Sequence, residues 1–286
     1  MIDFDSDHWV RALTQGLGAQ VVRPTAPEAG LVACFRAGPF RVAYPDFLIG
    51  SQRLDEAILS PQIDGARHLK ADLVRIQAAD AFKGPQVLAE HRLGSVAISD
   101  MQDWSERNWE KARRAANRNA RSSLEVRPGR AGDGTHLHRL YLSTLRRHRG
   151  AVRYTEGYFE AIAPHAALVA VLDGTLCGFV CVGFRGAAAC YMHGAHLPEA
   201  RTHYPSDQLF SAMLRSAREA GMASFDFLPS PSSQNSLASY KRAWGGEDVP
   251  LVVSDLALHP LRARAFSFAL GLSRTVGSMR RTWVGG

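Results

Sequence analysis

The sequence predicts an α/β (α+β) protein with mixed, largely antiparallel sheets flanked by helices, arranged as two lobes. Three observations carry that prediction. Residues 167–196, "ALVAVLDGTLCGFVCVGFRGAAACYMHGAH", form three apolar runs joined by the tight turns Asp173-Gly174 and Arg185-Gly186, the pattern of a β-meander. A helical pattern after Pro205 places Leu209, Phe210, Met213, Leu214 and Ala217 on one face and stops at Gly221. The order helix, helix, meander, helix, strand, helix, strand then asks for a sheet covered by helices.

The remaining elements follow in chain order. "LVACFRAGPFRVAYP" reads as two strands around the turn Ala37-Gly38-Pro39, "HLKADLVRIQA" and "GSVAISD" as two more, and "SQRLDEAILS" as a helix among them. A polar helix is predicted over about 105–122, followed by the strand "SLEVRP" and a Gly-rich turn. A second helix, "THLHRLYLSTLRRH", carries Leu137, Leu140, Tyr141 and Leu145 at helical spacing. After the meander and its helix come the strand "ASFDFL", a Ser/Pro loop, the short helix in "NSLASYKRAWGGE", the strand "PLVVSDLAL" and a terminal amphipathic helix. The expected division is residues 1–121, a first lobe with the connecting basic helix, and residues 122–286, a second lobe. "LVACFRAG" at Leu31 and "LVAVLDGT" at Leu168 echo one another across it.

The 286 residues, 46% hydrophobic and 21% charged, suffice for a sizeable core. No run approaches the ~20 consecutive apolar residues of a membrane span, and "MIDFDSDHWV" is acidic where a signal peptide is basic, so the expectation is a cytoplasmic protein without integral membrane association. Cys34, Cys177, Cys181 and Cys190 sit in apolar strand-like runs without metal-ligand spacing and read as reduced core residues. The net charge of +7 is unevenly placed. Residues 104–153 hold 13 Lys/Arg against 4 Asp/Glu, and the segment from Leu256 onward has five arginines and no acid. Such segregation points to a polyanionic partner.

Arg107, Lys111, Arg114, Arg118 and Arg121 follow steps of four and three, one stripe along a helix, suited to tracking a phosphate backbone or to forming a solvated face. In the short helix, Leu237, Tyr240 and Trp244 form an apolar stripe with Lys241 at its edge. Lys241 reads either as a snorkelling side chain or as a cation at the mouth of a cleft, stabilising negative charge on a reacting carbonyl oxygen. Asp226, between Phe225 and Phe227 on a strand, points to the face opposite theirs; in a cleft it would keep Lys241 protonated. His193 and His196 form HxxH without a third ligand, so a core or strand-end role is expected, and no metal. GxSxG, GxxxxGK[ST] and GxGxxG are all missing, which leaves nucleophile-elbow, P-loop and dinucleotide chemistries unsupported.

Four passages, "RRAANRNARSSLEVR", "YLSTLRRHRGAVRYTEGYFEAI", "YPSDQLFSAMLRSAREAGMASFDF" and "LASYKRAWGGEDVPL", together resemble the Fem-like aminoacyl- and peptidyltransferases within the GNAT acyltransferase superfamily. The likeness covers roughly Lys111 to Leu251. It implies two GNAT-like lobes, which would give the echo a cause, and transfer of an aminoacyl or acyl group onto an amine. The family's aromatic-Lys pair matches Tyr240 and Lys241, with Tyr where Phe is usual, and implies that Lys241 stabilises the oxyanion. The long coiled-coil arm of some cell-wall enzymes is missing, so a peptidoglycan-precursor acceptor is not implied.

Ordinary GNAT enzymes cradle the CoA pyrophosphate on a Gly-rich loop. The matching "LPEARTHYPSDQ" has no glycine, which favours charged tRNA as co-substrate, with no cofactor. The expected site is therefore Lys241, Tyr240 and Asp226 for catalysis, Trp244, His148, Tyr154, Ser206 and Gln208 around the substrate, and the five-cation stripe on tRNA. Two alternatives stand beside it: an acyl-CoA-dependent N-acyltransferase acting on an amino sugar or similar amine, and a non-enzymatic nucleic-acid-binding module. The terminal helix, with Arg280, Arg281 and Trp283, is expected to pack on the second lobe or else to rest on an anionic membrane surface.

Overall fold

A computed structural model describes residues 1–48, 56–119, 121–148, 150–230 and 235–283, with side chains in the last helix described to Gly271. In chain order the elements are β1 (Ile2–Asp3), α1 (Asp7–Arg11), β2 (Gln20–Val22), β3 (Val32–Ala37), β4 (Phe40–Pro45), α2 (Glu56–His68), β5 (Leu73–Ala78), β6 (Val87–Arg92), β7 (Ser95–Ile98), α3 (Glu110–Asn119) and β8 (Glu125–Pro128). They continue as α4 (Gly134–His148), α5 (Glu156–Ala166), β9 (Ala167–Leu172), β10 (Thr175–Arg185), β11 (Ala188–His196), α6 (Pro205–Glu219), β12 (Ser224–Asp226), α7 (Asn235–Arg242), β13 (Glu247–Val249), β14 (Val252–Ala257) and α8 (Pro260–Trp283).

Two mixed sheets result. The first has the order β2-β3-β4-β5-β14-β6; the second runs β13-β7-β12-β11-β10-β9-β8, with β1 parallel to β10. In each, an antiparallel set (β2-β3-β4 or β8-β9-β10-β11) is followed by a helix and a strand parallel to its last member, β5 on β4 and β12 on β11. The Leu31 and Leu168 echo does not mark equivalent places in this repeat, because β3 stands one strand before β4 whereas β9 stands two before β11.

The strands do not respect a boundary at 121/122. β14 lies between β5 and β6 in the first sheet, while β1 and β7 belong to the second. The cross-strand pair Arg75 and Asp255 shows why β14 is accepted there. Their side chains meet in two hydrogen bonds of 2.7 Å, and all six β14 residues are buried. A one-residue slip would leave Asp255 buried without its partner.

The second sheet is packed on both faces. Phe179 and Cys181 of β10 face a core with α5 and the N-terminal segment; Val180 and Val182 face a core with α6, where Leu209, Phe210, Met213, Leu214 and Ala217 are buried as the sequence predicts. Each large side chain among them contributes about 2 kcal/mol of burial. Three expectations change. The basic helix is only Glu110–Asn119, so Arg107 and Arg121 lie in turns outside it. Helix α5, with Pro164 inside it, was not foreseen. Helix α8 packs on β4 and β14 of the first sheet rather than on the second lobe. Residues 51–55 of the predicted "SQRLDEAILS" helix and 231–234 of the Ser/Pro loop lie outside the described residues.

Candidate active site

Strand β11 pairs with β12 only through Ala188–Cys190, and β12 ends at Asp226. Past Cys190 the edge of β11 has no strand beside it among the described residues, and Met192 is bulged out of the β10 pairing, since Cys181 faces His193 and Val182 faces Tyr191. Separating strands and a bulge re-aim the β11 side chains into a gap. Helices α4, α6 and α7 close that gap into a cavity of about 440 Å³. Its described lining includes Lys241, Tyr240, Ser236, Tyr191, His196, Ser206, Thr144, Arg147 and His148 over an apolar wall of Phe179, Val180, Leu209, Phe210 and Leu237, and none of it is a carboxylate. Gly194 leaves room for one wall: a Cβ there would stand 2.5 Å from the Tyr191 hydroxyl.

Lys241 is the centre of this site. It is 2% exposed, so it does not snorkel at the helix edge. Its Nζ donates to the Leu228 carbonyl at 2.6 Å. Burial pulls its pKa down from 10.5 to about 8, and the charge of Asp226 opposes the drop. Asp226 does not line the cavity. It faces a larger recess of about 770 Å³ that also holds Asp5, Glu28 and Asp80. There its Oδ1 accepts the Ser95 hydroxyl at 2.6 Å and the Leu228 N–H at 2.7 Å. Leu228 has a positive φ of 59°. Asp226 thus fixes the turn whose carbonyl receives the lysine.

Tyr240 lines the cavity, and its hydroxyl donates to Asp207 at 3.0 Å. Asp207, 5% exposed in the first turn of α6, also receives Lys111 Nζ at 3.0 Å and Arg118 Nη1 at 2.6 Å. Lys111 stands over the Tyr240 ring and Arg118 over the Tyr204 ring, 5.0 and 4.2 Å from the centroids. Two of the five stripe cations therefore turn inward and tie α3 to α6 and α7. Arg114 pairs with Glu110 on the surface, and Arg107 and Arg121 are exposed. The stripe is not one solvated line, because a buried carboxylate captures Lys111 and Arg118 on either side of Arg114.

Of the expected substrate contacts, His148 and Ser206 reach the cavity; Trp244, Tyr154 and Gln208 do not. Trp244 is fully buried against Phe210 and Tyr240, and its carbonyl accepts the indole N–H of Trp104 at 2.7 Å. It anchors the turn after α7, where Gly245 has φ 102° and lies under the Trp109 ring. Tyr154 packs with Tyr158 and His193 on the opposite face of the sheet. Gln208 is buried and donates to the His203 carbonyl at 3.3 Å.

His193 is a core residue sharing a 2.8 Å hydrogen bond with the Tyr158 hydroxyl, and burial pulls its pKa to about 3. His196, at the end of β11, bonds through Nδ1 to Ser206 Oγ at 2.9 Å; burial, then Arg147 and Arg201, hold its pKa down. Arg147 donates to Thr144 Oγ1 and the His196 carbonyl. Arg147, Tyr191 and Asp207 were not named from the sequence, and His196 reads there as a core or strand-end residue. Arg147 adjoins the expected contact His148, and Asp207 lies between Ser206 and Gln208. All four cysteines are free and buried. Among the described residues no His/Cys/Asp/Glu group could hold a metal, and no helix is long and apolar enough to cross a membrane.

The mixed sheet opening at β11 and β12, with a helix before each of the parallel strands β5 and β12, is a GNAT-like fold of the kind seen in FemX. Residues 106–242 match the family model for the acetyltransferase (GNAT) domain. Among solved structures, FemX aligns with a TM-score of 0.62 at 13% identity, covering 92% of this chain and 94% of that one. A C-terminal domain assigned to a lysylphosphatidylglycerol synthetase from Agrobacterium fabrum aligns at 0.60 and 17% identity, covering 94% and 92%. L-PGS from Bacillus licheniformis aligns at 0.54 and 15% identity, covering 92% and 96%. No curated protein matches the sequence at a significant level.

Proposed function

We propose that the protein transfers an aminoacyl group from aminoacyl-tRNA to an amine of a small-molecule or peptide acceptor, in the cytoplasm. The observation that carries this reading is the buried Lys241 ammonium in the wall of a cavity that also holds Arg147 and His148 and no described carboxylate. In such a site the amine attacks the ester carbonyl. The C–N bond forms, negative charge gathers on the carbonyl oxygen beside Lys241, and the ester C–O bond breaks as the proton shed by the new amide nitrogen passes to the leaving tRNA oxygen. The attacking ammonium must first lose a proton. His196, whose pKa is held down so that it is neutral at pH 7, is the lining group suited to take it. Arg107, Arg114 and Arg121 are the stripe cations left for the tRNA backbone. Lys111 and Arg118 act through Asp207.

The rival donor is an acyl-CoA. Helix α6 begins where a GNAT pyrophosphate would sit, and its start is poorly suited to one. Pro205 has no N–H, the Asp207 and Gln208 amides donate to the Tyr204 carbonyl, and the Asp207 carboxylate occupies the positive end of the helix. The deciding experiment offers radiolabelled aminoacyl-tRNA and acetyl-CoA to the purified protein with a panel of amines. Transfer from charged tRNA supports the proposal. Transfer from acetyl-CoA alone, without tRNA binding at low salt, overturns it.

A further inference from the structure

Helix α8 has one covered face and one bare face. Ala263 and Phe266 are buried on the first sheet, with Phe266 edge-on to Phe40 at 5.5 Å. Leu261 and Phe268 are 81% and 70% exposed, the most exposed large hydrophobic side chains among the described residues. Beside the start of α8 lies a recess of about 540 Å³ lined by Arg41, Arg67, Lys70, His259 and Arg262 around one acid, Asp72. That acid is already engaged: it accepts the Arg41 backbone N–H at 2.8 Å and Arg262 Nε at 2.5 Å. Arg36 adjoins at the hairpin tip, and Arg264 is exposed on α8. The sequence beyond Leu258 contains Arg274, Arg280 and Arg281 and no acid.

We propose that this face, the first turns of α8 with the neighbouring cationic recess, docks the protein on an anionic phospholipid surface. Leu261 and Phe268 enter the interfacial zone while the arginines and Lys70 meet headgroup phosphates. The pairing of bare apolar side chains with concentrated cations selects this occupant. A nucleic acid would satisfy the cations but leave Leu261 and Phe268 in water. A second copy meeting the same face would set one cationic recess against another. The docking is peripheral and does not depend on the donor or acceptor of the transferase reaction.

The test is co-sedimentation of the full chain with vesicles of phosphatidylcholine alone and of phosphatidylcholine mixed with phosphatidylglycerol, at low and high salt. Binding is expected only to the anionic vesicles and weakens as salt rises. Leu261→Glu and Phe268→Glu each lower partitioning by about tenfold or more, and Lys70→Gln and Arg264→Gln each by about fivefold. Leu93→Glu, at another exposed apolar position, leaves binding unchanged. All five positions are exposed, so circular dichroism and thermal melting stay at native values. Equal binding to neutral vesicles, or full binding by Phe268→Glu, overturns the proposal. So does binding of uncharged tRNA that Lys70→Gln abolishes while vesicle binding persists. A solution dimer that Leu261→Glu dissolves overturns it in favour of self-association.

Discussion

Replacing Lys241 by Met and by Arg separates its charge from its bulk. Burial lowers the pKa from 10.5 to about 8, a penalty on the charged form of about 3 kcal/mol. The folded chain gives up this proton near pH 8 and the unfolded chain near 10.5. Between those values the unfolded state binds more protons, so stability rises with pH; below pH 8 the penalty is present in full. Lys241→Met removes it but leaves the Leu228 carbonyl without its donor, a loss of about 1–3 kcal/mol. The net expectation at neutral pH is unchanged or slightly raised stability with no alkaline rise. Transfer rate falls about 10²- to 10³-fold, the usual effect of deleting one oxyanion donor.

The native enzyme loses kcat as pH passes about 8. Lys241→Arg keeps part of the rate and moves that limb upward. Initial transfer rates across neutral and alkaline pH, with urea unfolding in the same buffers, measure both effects. A Met variant with full activity would refute the reasoning. A rate that climbs through pH 8 would also refute it, because the neutral amine would then be the working form.

Asp207→Ala strips one carboxylate from Lys111, Arg118 and Tyr240 together, and its urea midpoint is expected to report a loss of about 2–4 kcal/mol; an unchanged midpoint would show that the three groups find equal partners elsewhere. His193 stays neutral when folded, with a pKa of about 3 against 6.5. It therefore contributes stability above pH 6.5 that drains away as pH falls toward 3, and His193→Gln flattens that acid limb in melting curves recorded against pH. Gly245→Ala forces a Cβ to within 2.6 Å of the Trp109 ring at a positive φ, and an unfolding loss of about 1–3 kcal/mol is expected in the same urea assay.

Local sequence made the meander and α6 readable, because each announces itself within a few residues: Leu-Val-Ala and Val-Cys-Val runs punctuated by Asp-Gly and Arg-Gly, and an apolar face closed by Gly221. Lys241 stood out in the sequence for the opposite reason, as a cation among residues that want burial. Helix α5 escaped because "EGYFEAIAPHA" is apolar on most sides and carries Pro164, which blurs its period. The inward turn of Lys111 and Arg118 was hidden in their partner, which sits 96 and 89 residues away along the chain. Spacing along a helix shows which side chains share a face but not what that face meets. For the same reason Trp244 was expected in the cavity: it shares a stripe with Leu237 and Tyr240, which do line the cavity, while the last turn buries the indole against Phe210.

The position of β14 sets a timetable for synthesis. The strand that lies between β5 and β6 is synthesised long after both, so β5 and β6 emerge with facing edges that nothing can fill until residue 257 is free. Those unpaired edges expose the nascent chain to non-native strand pairing. A ribosome-bound chain halted before residue 252 is expected to stay protease-sensitive throughout its first hundred residues, and one released past 257 to become resistant in a single step.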